Sequence, residues 1–498
     1  MNDSSCASAR DRSRSVAARW GGLALAMLAG CSLDLTGRAS FDSGAATPDA
    51  DAGRDADADA GRDGGLRDAG RDTGDARADS GCVDGARVCE DDVLRECASG
   101  DLVMIELCSA GCDDDDPRCL VMVPANVDEP VLLDEGGADV VLGIAGSPWS
   151  IDTDTGAIVG ADATVVRDAA EGEGMGASGI GFHVQPQVVG APELAIFTVR
   201  SLVVEADVLV TGRGGRSLVV LASGDVAIEG VIDVGAALDG NLRSAGPGGS
   251  TGAEARASAG GPGSGERGQE EFALQSGGGG GGHGGRGGDG GDSTDLVRTV
   301  RGGTGGDDYV GTEPLRGGGG GGGGASRDRG GVGGGGGGGL QISARGTLRL
   351  GPGAVVRSPG AGGGGASAIG GAGGGGGAGG SVVLEATTLV VEGRVTANGG
   401  GGGAGREGLG THDGARGGDG ADRAPGGEGP GLITGDGGGG GAGDDASGTQ
   451  PARDNNPGGG GGGAGRVLLR SRDPSPVLLA QVSPTDPSAS AVEPLIVR

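Results

Sequence analysis

Residues 217–236 read "SLVVLASGDVAIEGVIDVGA", three short runs of alternating aliphatic and polar residues broken at Ser-Gly-Asp and at Glu-Gly. Alternation sends successive side chains to opposite faces of a strand, which predicts Val226, Ile228, Ile232 and Val234 inward and Asp225, Glu229 and Asp233 outward. The pattern returns in "GLQISARGTLRLGPGAVVRSPGA" from 339, in "GSVVLEATTLVVEGRVTANGG" from 380, and in weaker form in "GRVLLRSRDPSPVLLAQV" from 465. A unit of three short strands cannot bury its apolar face alone. Stacked units can, so residues 125–498 are expected to form an all-β domain, a parallel β-solenoid (β-helix-like) with glycine-rich insertions.

The insertions carry runs of glycine at 277–282, 317–324, 333–339, 362–365, 373–377, 399–403, 437–441 and 458–463. Glycine loses more backbone freedom on ordering than any other residue, so such runs either stay solvated or pair their backbones densely. Chains without side chains can lie close together in a polyproline-II-like conformation and bond their N–H and C=O groups to neighbours. A partly ordered glycine array beside the coils is the favoured expectation.

Composition narrows the function. The chain has 498 residues, of which 126 are Gly, and its 38 basic residues are all Arg. Two Trp, one Tyr and four Phe leave few aromatic platforms for stacking on sugars or bases. A net charge of −30 argues against nucleic acid, whose binding needs clustered cations.

The N-terminus carries Arg10, Arg12, Arg14 and Arg19, then the apolar "GGLALAMLAG" and Cys31, the layout of an export signal. Leu28, Ala29, Gly30 and Cys31 resemble the lipobox of bacterial lipoproteins. That resemblance implies a signal peptide over 1–30, cleavage after Gly30 and lipid (palmitate) on Cys31, which would anchor the chain in a membrane. Ser32 in place of Asp makes the outer membrane the expected address, at the cell surface or on its periplasmic face. Residues 31–80 are low-complexity Asp, Ala, Gly and Arg, a composition that predicts a disordered tether.

Residues 81–124 hold Cys82, Cys89, Cys97, Cys108, Cys112 and Cys119. In an exported chain an even, dense set of cysteines predicts a three-disulfide module, with fifteen pairings open. Zinc is disfavoured because no Cys-x-x-Cys occurs and no His lies nearby.

Several chemical readings of the glycine runs fail on residue type. A phosphate loop of the Walker kind needs Lys, which this chain lacks. Metalloprotease chemistry needs paired histidines, and His183, His283 and His412 stand apart. "GGSTG" at 248–252 satisfies Gly-x-Ser-x-Gly, but Ser250 lies in a loop rather than on a strand-to-helix elbow. "GGTGGDDYV" at 302–310 fits the calcium-roll nonapeptide with Asp307 as ligand, and the runs at 287–295 and 417–425 fit in part, offering Asp292 and Asp422. Calcium rolls need tandem copies, and these three are scattered, so they are weak candidates. "DTDTG" at 152–156 is expected to be a β-turn.

The order of lipobox, acidic tether, six-Cys module and coils closing with "GGGGGGAGRVLL" resembles glycine-rich surface lipoproteins of high-GC Gram-negative, myxobacterial-type bacteria. The resemblance implies location and scaffold but no activity. The expectation is a lipid-anchored envelope protein with a structural or adhesive role, no catalysis and no cofactor. Its partners would be the membrane through the N-terminal lipid, and surface polysaccharide or other envelope proteins. The rival readings are a carbohydrate-active β-helix enzyme, which needs acidic residues and an Arg converging on one face, and a calcium-binding repeat protein. Glu229 and Glu392 fall at equivalent repeat positions, whereas Asp233 is matched by Thr396.

Overall fold

The computed structural model describes residues 82–309, 311–326, 328–406, 412–429, 435–473 and 482–498. Residues 1–81, where a signal peptide, lipidated Cys31 and a tether are expected, lie outside the described residues. What is described is all-β, with two short 3-10 turns, Pro130–Asp134 and Ala169–Glu171, and no α-helix among these residues.

Three rows of parallel pairing follow from the repeated runs. In the first, Leu194–Val199 pairs Ser217–Ala222, which pairs the start of Gly339–Leu350, followed by Ser381–Val391, Arg466–Ser471 and Ser490–Pro494. A second row joins Asp139–Leu142, Ser201–Val204, Val226–Ile228 and the later halves of Gly339–Leu350 and Ser381–Val391. A third runs from Trp149–Asp152 through Leu209–Arg213, Val231–Asp233, Val355–Arg357 and Arg394–Thr396 to Val482–Ser483. Leu218, Val226, Ile228, Ile232, Val234, Leu348, Val356, Leu384 and Val395 share one core between the rows, as the alternation predicts.

The two large sheets are nevertheless mixed. Ile158–Gly160 and Val165–Arg167 fold back antiparallel beside Trp149–Asp152, and Gly181–Gln185 pairs antiparallel with Leu194–Val199. The reversal starts at the "DTDTG" turn, where the Asp152 carboxylate accepts from the N–H groups of Asp154 and Thr155, both at 2.9 Å.

The first-row strands from Leu194–Val199 to Arg466–Ser471 are buried on both faces along their paired residues, while Ser490–Pro494 at the end of the row is partly exposed, a burial that alternation alone does not predict. A strap comprising residues 122–133 crosses their outer face, and Met122, Val127 and Leu133 with Leu315 and Leu495 cover Leu194, Ile196, Val219, Leu221, Val383 and Leu468. The strap also pairs with the C-terminus through Val121 N–H to Arg498 O, 3.0 Å, and Val123 N–H to Ile496 O, 2.9 Å.

The glycine runs are ordered, and their hydrogen bonds repeat every three residues. In the run 277–282, Gly277 and Gly280 donate to Gly291 and Gly288, Gly278 and Gly281 to Gly373 and Gly376, and Gly279 and Gly282 to Glu266 and Gly263. The carbonyls follow the same rule, accepting from Gly303 and Gly306, from Gly460 and Gly463, and from Gly322 and Gly319. A period of three is that of a polyproline-II helix. One run therefore has six neighbours, and its backbone groups are satisfied by them although every residue in it is buried. The packing leaves no room for a side chain: a methyl on Gly280 would lie 1.9 Å from the Gly461 oxygen, and one on Gly375 2.0 Å from the Gly279 oxygen. This array continues the parallel rows of strands. Gly376 and Gly379 donate to Gly460 and Gly463, and the same two chains then run on as the paired strands beginning at Ser381 and Arg466.

Candidate functional site

The six cysteines pair as Cys82–Cys97, Cys89–Cys112 and Cys108–Cys119. They staple a small sheet of β1 (Arg87–Glu90), β2 (Val93–Ala98) and β3 (Asp101–Leu107), in that order. Spacing alone left fifteen pairings, because it does not say which strands are antiparallel neighbours.

Glu229 and Glu392 do occupy equivalent positions, following second-row strands separated by the one that ends at Leu350. The intervening strand supplies Arg349, whose guanidinium bonds both carboxylates. This acid–Arg–acid stack is about half exposed and is internally paired. The repeat contains the signal for it, since Arg349 sits two residues before the equivalent position, Gly351.

Asp233 departs from expectation. It is 1 % exposed rather than outward in solvent, because Arg416 from an insertion folds over it at 2.6 and 3.0 Å and Arg357 of the next coil reaches it at 2.9 Å. Burial opposes ionisation of Asp233, but the hydrogen bonds and charge of Arg416, with Arg357, outweigh it and hold the carboxyl below the ordinary range. Arg357 also bonds Asp419 at 2.6 Å, which completes a network tying the insertion to the coils. No pattern in the sequence pointed to Arg416 or Asp419.

A second buried carboxylate lies under the strap. Glu385 accepts from the Ala125 N–H at 3.0 Å, from the Ser343 hydroxyl at 2.9 Å and from Arg470 at 3.2 Å. Gln341 binds the same residue through its other backbone group, donating to the Ala125 carbonyl at 2.6 Å. Burial raises the Glu385 carboxyl above its usual value, against the opposing pull of the Ala125 N–H, Ser343 and Arg470. Arg470 is shared with Glu493 at 3.0 Å and Glu313 at 3.8 Å, at the edge of a cleft of about 380 Å³ that Arg466, Ser488 and Ser490 also line.

His283 is fully buried where the glycine array meets the first row of strands. Its Nδ1–H donates to Gly379 O at 2.8 Å, which leaves Nε2 to accept from the Ser381 hydroxyl at 3.2 Å. The ring stacks on Tyr309 at 4.7 Å. Burial lowers the imidazole to about 3 and raises the Tyr309 phenol, so both stay neutral across the physiological range. The pair is a hydroxyl beside an imidazole, but it is sealed from substrate and has no carboxylate partner in these contacts.

The three calcium candidates do not come together. Asp307 is exposed, with Arg286 at 3.9 Å. The Asp292 carboxylate accepts from Gly302 N–H at 3.0 Å and faces Arg453 at 3.1 Å. Asp422 is an exposed loop residue. Among the described residues no group of three or more His, Cys, Asp or Glu is arranged to hold a metal ion. Ser250 belongs to the array, its N–H donating to Gly318 and its carbonyl accepting from Gly336.

No protein-family model matches this chain, and neither the curated proteins nor the solved structures contain a match to it.

Proposed function

We propose that this chain is a lipid-anchored cell-envelope protein with a structural or adhesive surface role, in which the stacked coils act as a parallel β-solenoid. The observation that carries this reading is the glycine array, which is hydrogen-bonded through its interior and runs without a break into the coil strands. Such a body is stiff, because its interior is made of backbone and each chain is held by several others. It suits a spacer or binding platform, with Arg and Asp groups of the outer loops presented on a large surface. The lipobox-like "LAGC" at 28–31 supplies the attachment and the acidic tether the stand-off.

Metabolic labelling with an alkyne palmitate tests the anchor, with cell fractionation and protease shaving of intact cells. Label on the wild type in the outer membrane and none on Cys31→Ala is the expected result. Label that survives Cys31→Ala, or a cytosolic protein, sinks the reading.

A carbohydrate-active enzyme on the same coils is the second reading, favoured by the Glu229–Arg349–Glu392 stack. Arg349 occupies both carboxylates, so neither is free to act as a base in this arrangement. Release of reducing ends from a surface polysaccharide, abolished in Glu229→Gln, is the result that would establish it.

A further inference from the structure

The β3 strand, "DLVMIEL" at 101–107, is exposed at every residue. Leu102, Val103, Met104, Ile105 and Leu107 are 37, 52, 61, 46 and 67 % exposed. It is also the edge of its sheet, pairing only with β2. Edge strands of soluble proteins are normally blunted by Lys, Pro or a covering segment. Here neither residue occurs and none of the described residues covers the strand, although three disulfides fix the sheet behind it.

We propose that β3 is a docking edge for a second copy of this chain, the two strands pairing antiparallel about a two-fold axis through Met104. The sequence is self-complementary in that register. Val103 faces Ile105, Met104 faces Met104, and the acids Asp101 and Glu106 face Leu107 and Leu102 of the other copy. An antiparallel pair about a two-fold axis sets one residue opposite itself, so the neighbouring registers centre on Val103 or Ile105 and overlap the strand over five residues rather than seven. Overlap of the whole strand therefore selects the register that also joins the apolar centres.

The pairing is isologous, so it closes at two copies and does not propagate. Covering five such side chains on each copy removes on the order of 1,000 Å² from water, the low end for a specific pair. The net charge of −30 on each chain opposes the encounter at long range, and salt screens it. Dimerisation is accordingly weak in dilute solution and strengthens with ionic strength. On the lipid-anchored reading, confinement to a membrane plane raises the effective concentration of partners.

The test is sedimentation of the full chain, carrying Cys31→Ser to keep it free of lipid, over a range of concentrations at low and physiological salt. The wild type shifts from monomer to dimer as concentration rises, and more readily at the higher salt. Met104→Arg and Met104→Asp, each placing like charges across the axis, weaken the dimer by about tenfold or more. An equal mixture of the two variants dimerises again, because position 104 meets itself. Met104 is solvent-facing in one copy, so both variants keep the fold, and intact disulfides on non-reducing mass spectrometry confirm it. A monomeric wild type, a dimer indifferent to Met104→Arg, larger assemblies, or a mixture that stays monomeric each overturns the proposal. Failure of lipid labelling at Cys31 leaves this test untouched.

Discussion

The carboxylate of Glu385 accepts the backbone N–H of Ala125 at 3.0 Å across 260 residues of sequence. With the Gln341 bond to the Ala125 carbonyl, it latches the strap, which follows the disulfide module, onto the outer face of the first row of strands. Glu385→Ala strips the partner from a mostly buried Arg470 and from the Ala125 N–H, and breaking a buried pair in this way costs about 3–5 kcal/mol. A lowered denaturant midpoint, with new protease cleavage within 122–133, is the expected outcome. Unchanged cleavage there would show that the latch is not what holds the strap.

The buried His283 gives stability a definite dependence on pH. Its folded value of about 3 lies below the ordinary 6.5 of the unfolded chain, so the unfolded state takes up the proton first. The contribution is complete above pH 6.5 and is lost as pH falls towards 3, at up to about 1.4 kcal/mol per pH unit. Denaturation curves between pH 7 and pH 4 measure the slope. His283→Gln is less stable at neutral pH but has a shallower slope, and an identical slope in both proteins refutes the assignment.

Asp233 acts in the same direction at lower pH. Its folded value is depressed, so its stabilising effect is present above the ordinary Asp range and lost as pH falls below it. Asp233→Ala leaves Arg357 and Arg416 facing one another and costs about 3 kcal/mol or more at neutral pH. Arg416→Ala loosens the insertion, which Arg357 still holds through Asp419, and faster hydrogen exchange near Gly417 would report it.

Glycine substitutions separate packing from propensity. Gly280→Ala drives a methyl against the Gly461 carbonyl and is expected to cost about 3 kcal/mol. Gly353→Ala, at an exposed turn with nothing within 4 Å, stays within about 0.5 kcal/mol of wild type. Thermal denaturation of both variants makes the comparison, and equal effects would mean that the array is not closely packed in solution.

Amide exchange tests the array directly. The runs at 277–282, 321–324 and 459–463 are protected in EDTA, since their N–H groups point at carbonyls of neighbouring chains rather than at water. Protection that appears only with calcium would restore the metal reading of Asp307, Asp292 and Asp422.

By itself the sequence determined the all-β class, the inward set Val226, Ile228, Ile232 and Val234, and the need for glycine wherever chains touch. Each of these follows from local rules: a side-chain period of two, or the absence of a side chain. Tertiary structure alone decided which chains neighbour the run 277–282, because glycine carries no pattern that names a partner. It decided that Asp233 is buried, because Arg416 arrives from 183 residues away and no local period records it. It chose one disulfide pairing among fifteen, since pairing depends on which strands lie side by side. The antiparallel strands that make the sheets mixed were hidden for a related reason. Alternation tells which face of a strand is apolar, but the direction of its neighbour is set by the turn between them and by the strap that covers them.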